Sequence, residues 1–104
     1  MQYKRWEIWL ANVKFEDNPN VIKIRPVLVI TPQDVFVLAH KMTGTERTKD
    51  YEVKNWQKSG LEKKTFIRVN IELQLRERDL LRKIGTLHPG DILGFQKHID
   101  RLKK

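Results

Sequence analysis

The sequence predicts a mainly β fold, a small barrel with short helices and one amphipathic helix at its C-terminal end. Three observations carry this reading. From Thr65 to Leu75 the chain alternates with a period of two. Ile67, Val69, Ile71, Leu73 and Leu75 face one way, and Arg68, Asn70, Glu72 and Gln74 face the other. That is the pattern of a strand with one buried and one wet face. Before it, several short strand-like runs follow one another at close spacing, separated by turn residues. A clear helical period appears only at the end, where Pro89 opens a helix with Ile92, Phe95, Ile99 and Leu102 on one face.

The elements follow in order. Arg5 to Val13 alternates with apolar weight on both sides: Trp6, Ile8, Leu10 and Asn12 against Glu7, Trp9, Ala11 and Val13. Glu16-Asp17-Asn18-Pro19-Asn20 is loop chemistry. Val27 to Ile30 is a four-residue apolar run, the signature of a strand buried on both faces. Pro26 lacks an N–H and holds Arg25 extended, so the strand is expected to begin at Arg25-Pro26. A third strand runs from Val35 to Thr43, and Gly44 to Asp50 is an exposed loop. A short Tyr51-Glu52-Val53 strand and a helical turn around Trp56 follow, the turn ending at Gly60. Glu77 to Lys83 reads as a short helix.

Composition narrows the function. At 104 residues the chain forms one domain, residues 1–104, with no linker or repeat. The absence of cysteine excludes disulfides and thiolate metal sites. No stretch has the apolar length of a membrane span or a signal peptide, so a cytoplasmic location is expected. Lys and Arg number 21 against 13 Asp and Glu, a net charge of +8 that favours a polyanionic partner, RNA or an acidic protein. No His, Asp and Glu spacing amounts to a metal site, and no cofactor is expected.

Five segments, in order, resemble the MazF/PemK-type toxins of toxin–antitoxin pairs: RWEIWLANVKFEDNP, KIRPVLVI, VLAHKMTGT, NWQKSGLEKKTFIRVN and LLRKIGTL. The Arg25-Pro26 before a buried strand and the Trp56-x-x-x-Gly60-Leu61 spacing are the more specific pieces, and their order adds to them. The resemblance implies an SH3-like barrel, usually a homodimer, that cuts single-stranded RNA at short sequences without a metal. It also implies an antitoxin that covers the RNA groove with an acidic segment.

Residue by residue, the family's active-site Arg before Pro falls on Arg25 and its Thr at the end of the third strand on Thr43. Its Arg-x-Asp reads Arg68-Val69-Asn70 here, with an amide for the carboxylate. A loop His of some members has no counterpart between Lys14 and Ile24, and the usual Gly before the first strand's acid is Trp6. In metal-free cleavage the 2′-OH attacks its own phosphorus and negative charge grows on the non-bridging oxygens. The fork of Arg25 suits that charge, and the Thr43 hydroxyl can donate to the same oxygens. Arg68, Asn70, Glu72 and Lys41 are the accessory or RNA-binding candidates. Of these, Glu72 is expected to share Asn70's face and is the candidate proton acceptor, whereas regular alternation sets His40 opposite Thr43.

Other readings of the same residues stay open. Arg25 could cap the barrel through a salt bridge, Thr43 could be a turn residue, and Arg68 and Glu72 could belong to a solvated face. His88 and His98 read as a helix-entry and a surface residue, and Trp6, Trp9 and Trp56 as core or dimer-interface residues. At the level of function the alternatives are an inactive barrel that only binds RNA or antitoxin, and a toxin acting on a protein such as a topoisomerase.

Overall fold

The computed structural model describes residues 3–14, 20–32, 37–47 and 49–103. Six antiparallel strands form one sheet: β1 (Glu7–Lys14), β2 (Ile22–Pro32), β3 (Val37–Thr43), β4 (Tyr51–Glu52), β5 (Phe66–Leu75) and β6 (Leu80–Thr86). Their order is β4-β5-β3-β2-β1-β6, and helix α1 (Pro89–Leu102) follows. The fold is mainly β, as the alternation predicts, but the ladder ends at β4 and β6 and does not close into a barrel. Val35, Phe36 and most of the predicted Glu16–Asn20 loop lie outside the described residues. Among the described residues no helix is long and apolar enough to cross a membrane.

Two apolar clusters occupy the two faces. Trp9, Ala11, Val13, Val27, Val29, Ala39, Leu75 and Leu80 form one. Ile8, Leu28, Met42, Val53, Leu61, Ile67, Leu87 and Phe95 form the other, beneath α1. Because side chains alternate along a strand, β1 and β2 feed both clusters, which is why their sequences are apolar on both sides.

Three expectations are corrected. Strand β2 begins at Ile22, not at Arg25, and Pro26 sits inside it opposite Leu10 of β1. The pairing of β2 with β3 ends at Val27–Lys41. At Pro26, therefore, one edge of β2 has no described strand beside it, and a missing N–H is tolerated there. Leu80 to Lys83 is strand rather than helix: only Glu77–Asp79 makes a 3-10 turn, with the Asp79 carboxylate accepting from Arg76 N at 3.1 Å. Pairing with β1 from Ala11–Leu80 to Glu7–Thr86 overrides the helix propensity of Leu, Arg and Lys.

The third correction concerns β5. Its register on β3 jumps from Met42–Ile67 to His40–Glu72, so residues 68–71 of β5 face a single residue, Lys41. Such a bulge resets the facing of the strand. Ile67 and Val69 pack toward the α1 cluster, whereas Leu73 and Leu75 belong with the other. The alternation is unbroken in the sequence and broken in the fold. The expected wet face is also dry at Arg68, which is buried.

The segment before β5 is fixed from two sides. Gly60, at φ +87°, ends the turn around Trp56: Leu61 N donates to Trp56 O at 3.0 Å and Gly60 N to Gln57 O at 3.2 Å. This paired closure of a helical turn needs a left-handed residue, here glycine. On the other side, the fully buried carboxylate of Asp91 in the first turn of α1 accepts from Lys54 N, Asn55 N and Tyr51 Oη, all at 2.8 Å. Burial pushes the Asp91 pKa up, but the two backbone amides and then the Tyr51 and Asn55 side chains outweigh it and hold it below the usual carboxylate range. Burial first, and then the Asp91 carboxylate, keep Tyr51 protonated far above the ordinary phenol range.

Candidate active site

Arg25 lies on the outer half of β2, opposite Ala11. Among the described residues its guanidinium meets no carboxylate; Nη1 donates to its neighbour's carbonyl, Ile24 O, at 3.0 Å. The last β2–β3 pair is Val27–Lys41. Beyond it the two strands are not paired, but alternation puts Arg25 and Thr43 on one face, the face that buries Val27, Val29 and Ala39. Half-buried Lys41 pairs with Val27 and is the next residue before Thr43 on that face. Because β3 leaves β2 at this point to pair only with β5, Arg25 and Thr43 flank an opening between strands, and no hydrogen bond joins them.

Thr43 Oγ1 accepts from Thr45 N at 3.2 Å, which leaves its proton available to a ligand. The loop beyond is ordered by a buried ion pair. Arg68 Nη1 contacts Asp50 Oδ2 and donates to Thr45 O at 3.4 Å, while the same Asp50 oxygen accepts from Arg47 N at 2.9 Å. Lys49 adopts φ +78°, and its carbonyl accepts from His98 Nε2 at 2.7 Å. Thr48 is outside the described residues.

A cleft of about 410 Å³, lined by neither Arg25 nor Thr43, opens where Leu10 and Pro26 meet the chain from Gly60 to Lys63. Leu10, Pro26, Leu61 and Ile84 give it an apolar floor, and Lys63, Arg82 and Lys83 a basic rim shared with Glu62. Lys63 runs past the residue after Thr43: a Cβ on Gly44 would stand 3.3 Å from its Cε. Lys83 Nζ also reaches Glu7 Oε2 at 3.0 Å. Burial would raise the Glu7 pKa, but hydrogen bonds from Lys4 N, Trp9 Nε1 and Lys83 hold it below the ordinary range.

The accessory candidates separate. Arg68 is enclosed in its ion pair. Glu72 is the register partner of His40, so the two share a face, and the jump in β5 takes Glu72 away from Thr43. The expectation that Glu72 accompanies Arg68 is corrected by that jump. His40 donates from Nδ1 to Arg68 O at 3.0 Å and packs edge-on against Phe95. The side chain of Asn70 lies outside the described residues. Among the described residues no three His, Asp or Glu side chains converge as metal ligands. His88 accepts from Gly90 N at 3.1 Å as the residue that starts α1.

Residues 4–102 match the family model of the PemK-like, MazF-like toxins of type II toxin–antitoxin systems. The chain belongs to that family. Among solved structures it resembles the Mycobacterium tuberculosis toxin MazF-mt6, with a TM-score of 0.72 and 22% identity over 91% of this chain and 93% of that one. At that identity the likeness is one of fold. No curated protein sequence matches significantly. Family membership makes this chain a type II toxin by kind, and an antitoxin its expected partner.

Two buried acids were not singled out in the sequence: Asp50, in the loop after Thr43, and Asp91, which holds α1 to the chain before β5. Asp50 is an acid in a loop otherwise read as solvent-exposed, and only its pairing with a strand residue eighteen positions on shows its place. Asp91, two residues after the helix-starting proline, looks like an ordinary first-turn acid.

Proposed function

We propose that this toxin is a sequence-selective endoribonuclease that cleaves single-stranded RNA, mRNA included, in the cytoplasm without a metal ion. The observation that carries the reading is the β2–β3 register. Its last pair is Val27–Lys41, where the two strands part; by alternation the same face carries Arg25, whose guanidinium meets no carboxylate among the described residues, and Thr43, whose Oγ1 accepts from Thr45 N. A bent RNA backbone at that opening would put its scissile phosphate between them. The 2′-oxygen bonds to phosphorus as the bond to the 5′-oxygen breaks; the 2′-OH proton departs and the leaving oxygen gains one. The products are a 2′,3′-cyclic phosphate and a 5′-OH. Arg25 holds the charge that grows on the non-bridging oxygens, with Thr43 donating to the same oxygens.

The net charge of +8 supports RNA as substrate, and it supports an acidic antitoxin segment that competes for the same surface. The homodimer expected of the family would have apolar surface to bury, since Ile22 and Ile24 are 56% and 55% exposed on the outer half of β2.

The test is direct. Purified protein is incubated with a long single-stranded RNA in excess chelator, and the fragment ends are identified. Discrete fragments with cyclic-phosphate and 5′-OH ends are expected. Intact RNA, or fragments only when a divalent metal is added, would overturn the proposal.

A further inference from the structure

We infer that Asp50 and Arg68 are positioning residues for that cleavage: a buried ion pair that sets the Thr43 hydroxyl and the loop after it, without touching RNA. The inference rests on the proposed nuclease reading. Its geometry is as follows. The Arg68 side chain is 7% exposed and that of Asp50 2%, so neither can meet a phosphate on the surface. What they do meet is the loop. Arg68 takes the Thr45 carbonyl and Asp50 takes the Arg47 amide, which fixes the peptide on either side of Glu46. Thr43 Oγ1 in turn accepts from the Thr45 amide at 3.2 Å, so the placement of Thr45 helps set where that hydroxyl sits. The family's Arg-x-Asp strand position is thereby reassigned in this chain. Arg68 acts through Asp50 and Thr45 while Asn70 offers no carboxylate.

Stability alone gives no reason for such a pair. Two charges withdrawn from water recover little net free energy, and a well-packed apolar pair of similar volume often does as well or better. Here the pairing is incomplete too, for Arg68 Nε is buried with no hydrogen-bond partner among the described residues. A pair that is poorly optimised for stability yet makes every described contact with one loop is explained by the loop. The register jump in β5 serves the same arrangement, since it frees residues 68–71 from regular pairing where Arg68 leaves the ladder. On the other face His40 holds the Arg68 carbonyl, so backbone and side chain of this residue are fixed from opposite sides of the sheet.

The experiment replaces the pair by apolar residues, Asp50→Leu with Arg68→Met, alongside Asp50→Asn and Arg68→Lys alone. Four quantities are read on the full chain: thermal midpoint, RNA dissociation constant, single-turnover cleavage rate, and amide exchange at Thr45 and Arg47. The double variant should melt near the parent and bind RNA within about threefold, yet cleave about a hundredfold more slowly, the order of loss that ~1 Å of misplacement brings. Arg68→Lys keeps the charge with fewer donors and should recover part of that rate. In Asp50→Asn the Thr45 and Arg47 amides should exchange faster while those of β1 and β2 keep their protection. Parental cleavage by the double variant would overturn the inference. So would a loss confined to RNA affinity with a reduced salt slope, which would make Arg68 an RNA contact. If the parent cuts no RNA, the nuclease reading fails by itself. The exchange result then still decides whether the pair sets the loop.

Discussion

Replacing Asp91 by alanine should be among the most destabilising single changes in this chain. Its carboxylate is fully buried and receives the backbone amides of Lys54 and Asn55 and the hydroxyl of Tyr51, each at 2.8 Å, with Asn55 Nδ2 at 3.2 Å. Alanine leaves at least three of these donors without an acceptor, each costing roughly 1–3 kcal/mol, so the expected loss is about 4 kcal/mol. That is a large share of the 5–15 kcal/mol typical of a domain, and it corresponds to a fall of about 20 °C in thermal midpoint at this size. Asp91→Asn retains one oxygen and should lose about 2 kcal/mol; Tyr51→Phe removes one bond and should lose about 1 kcal/mol. Urea denaturation of the three variants, compared at a common slope, gives these values. An Asp91→Ala midpoint within about 0.5 kcal/mol of the parent would refute the view that this carboxylate ties α1 to the chain ahead of β5.

Other outcomes follow from the same geometry. Arg25→Ala should keep the fold and most RNA affinity and lose cleavage by about a hundredfold, with little rescue by Lys, which has no planar fork; Thr43→Ala should lose less, as single-turnover assays would show. RNA binding should weaken with salt, log K falling by ~0.7 per phosphate contacted, and a flat titration would rule out a basic groove. Asp91 and Glu7 both titrate below their ordinary values in the fold, so the stability they confer is fully present above the unfolded carboxylate range near pH 4. It is lost as pH falls through their depressed folded values, which acid titration followed by tryptophan fluorescence would trace. Gly60→Ala should destabilise by more than 1 kcal/mol, because φ is +87° and the new Cβ would lie 2.6 Å from the Ile84 carbonyl; calorimetry measures it.

Local rules read much of this fold correctly. The two-faced apolar pattern of β1, the run Val27–Ile30, the glycine that ends the Trp56 turn and the proline that opens α1 each act over a few residues, so their signals survive in one dimension. What escaped depends on neighbours distant in the chain. Leu80-Leu81-Arg82-Lys83 has helical propensity, and only the presence of β1 makes it a strand. The perfect alternation of Thr65 to Leu75 gives no hint of a bulge, because a register jump is a property of two strands. At the site, the candidates Arg25 and Thr43 come from a motif, and alternation puts them on one face beyond the last β2–β3 pair. The enclosure of Arg68 and the departure of Glu72 to the face of His40 were hidden by the same bulge.

The open ends of the sheet bear on how this protein stays apart from its own kind in a crowded solution. β4 covers β5 only at Phe66 and Ile67, and no described strand lies beyond β6, so two rows of peptide groups face outward. A straight, uncharged border of that sort would template growth by added strands. Here the outer border of β5 is broken where residues 68–71 leave the ladder, and β6 carries Arg82 and Lys83, both exposed, along its length. An incoming strand would meet a kink on one side and like charges on the other. The irregularity that carries Arg68 toward the loop therefore also guards against fibrous self-association.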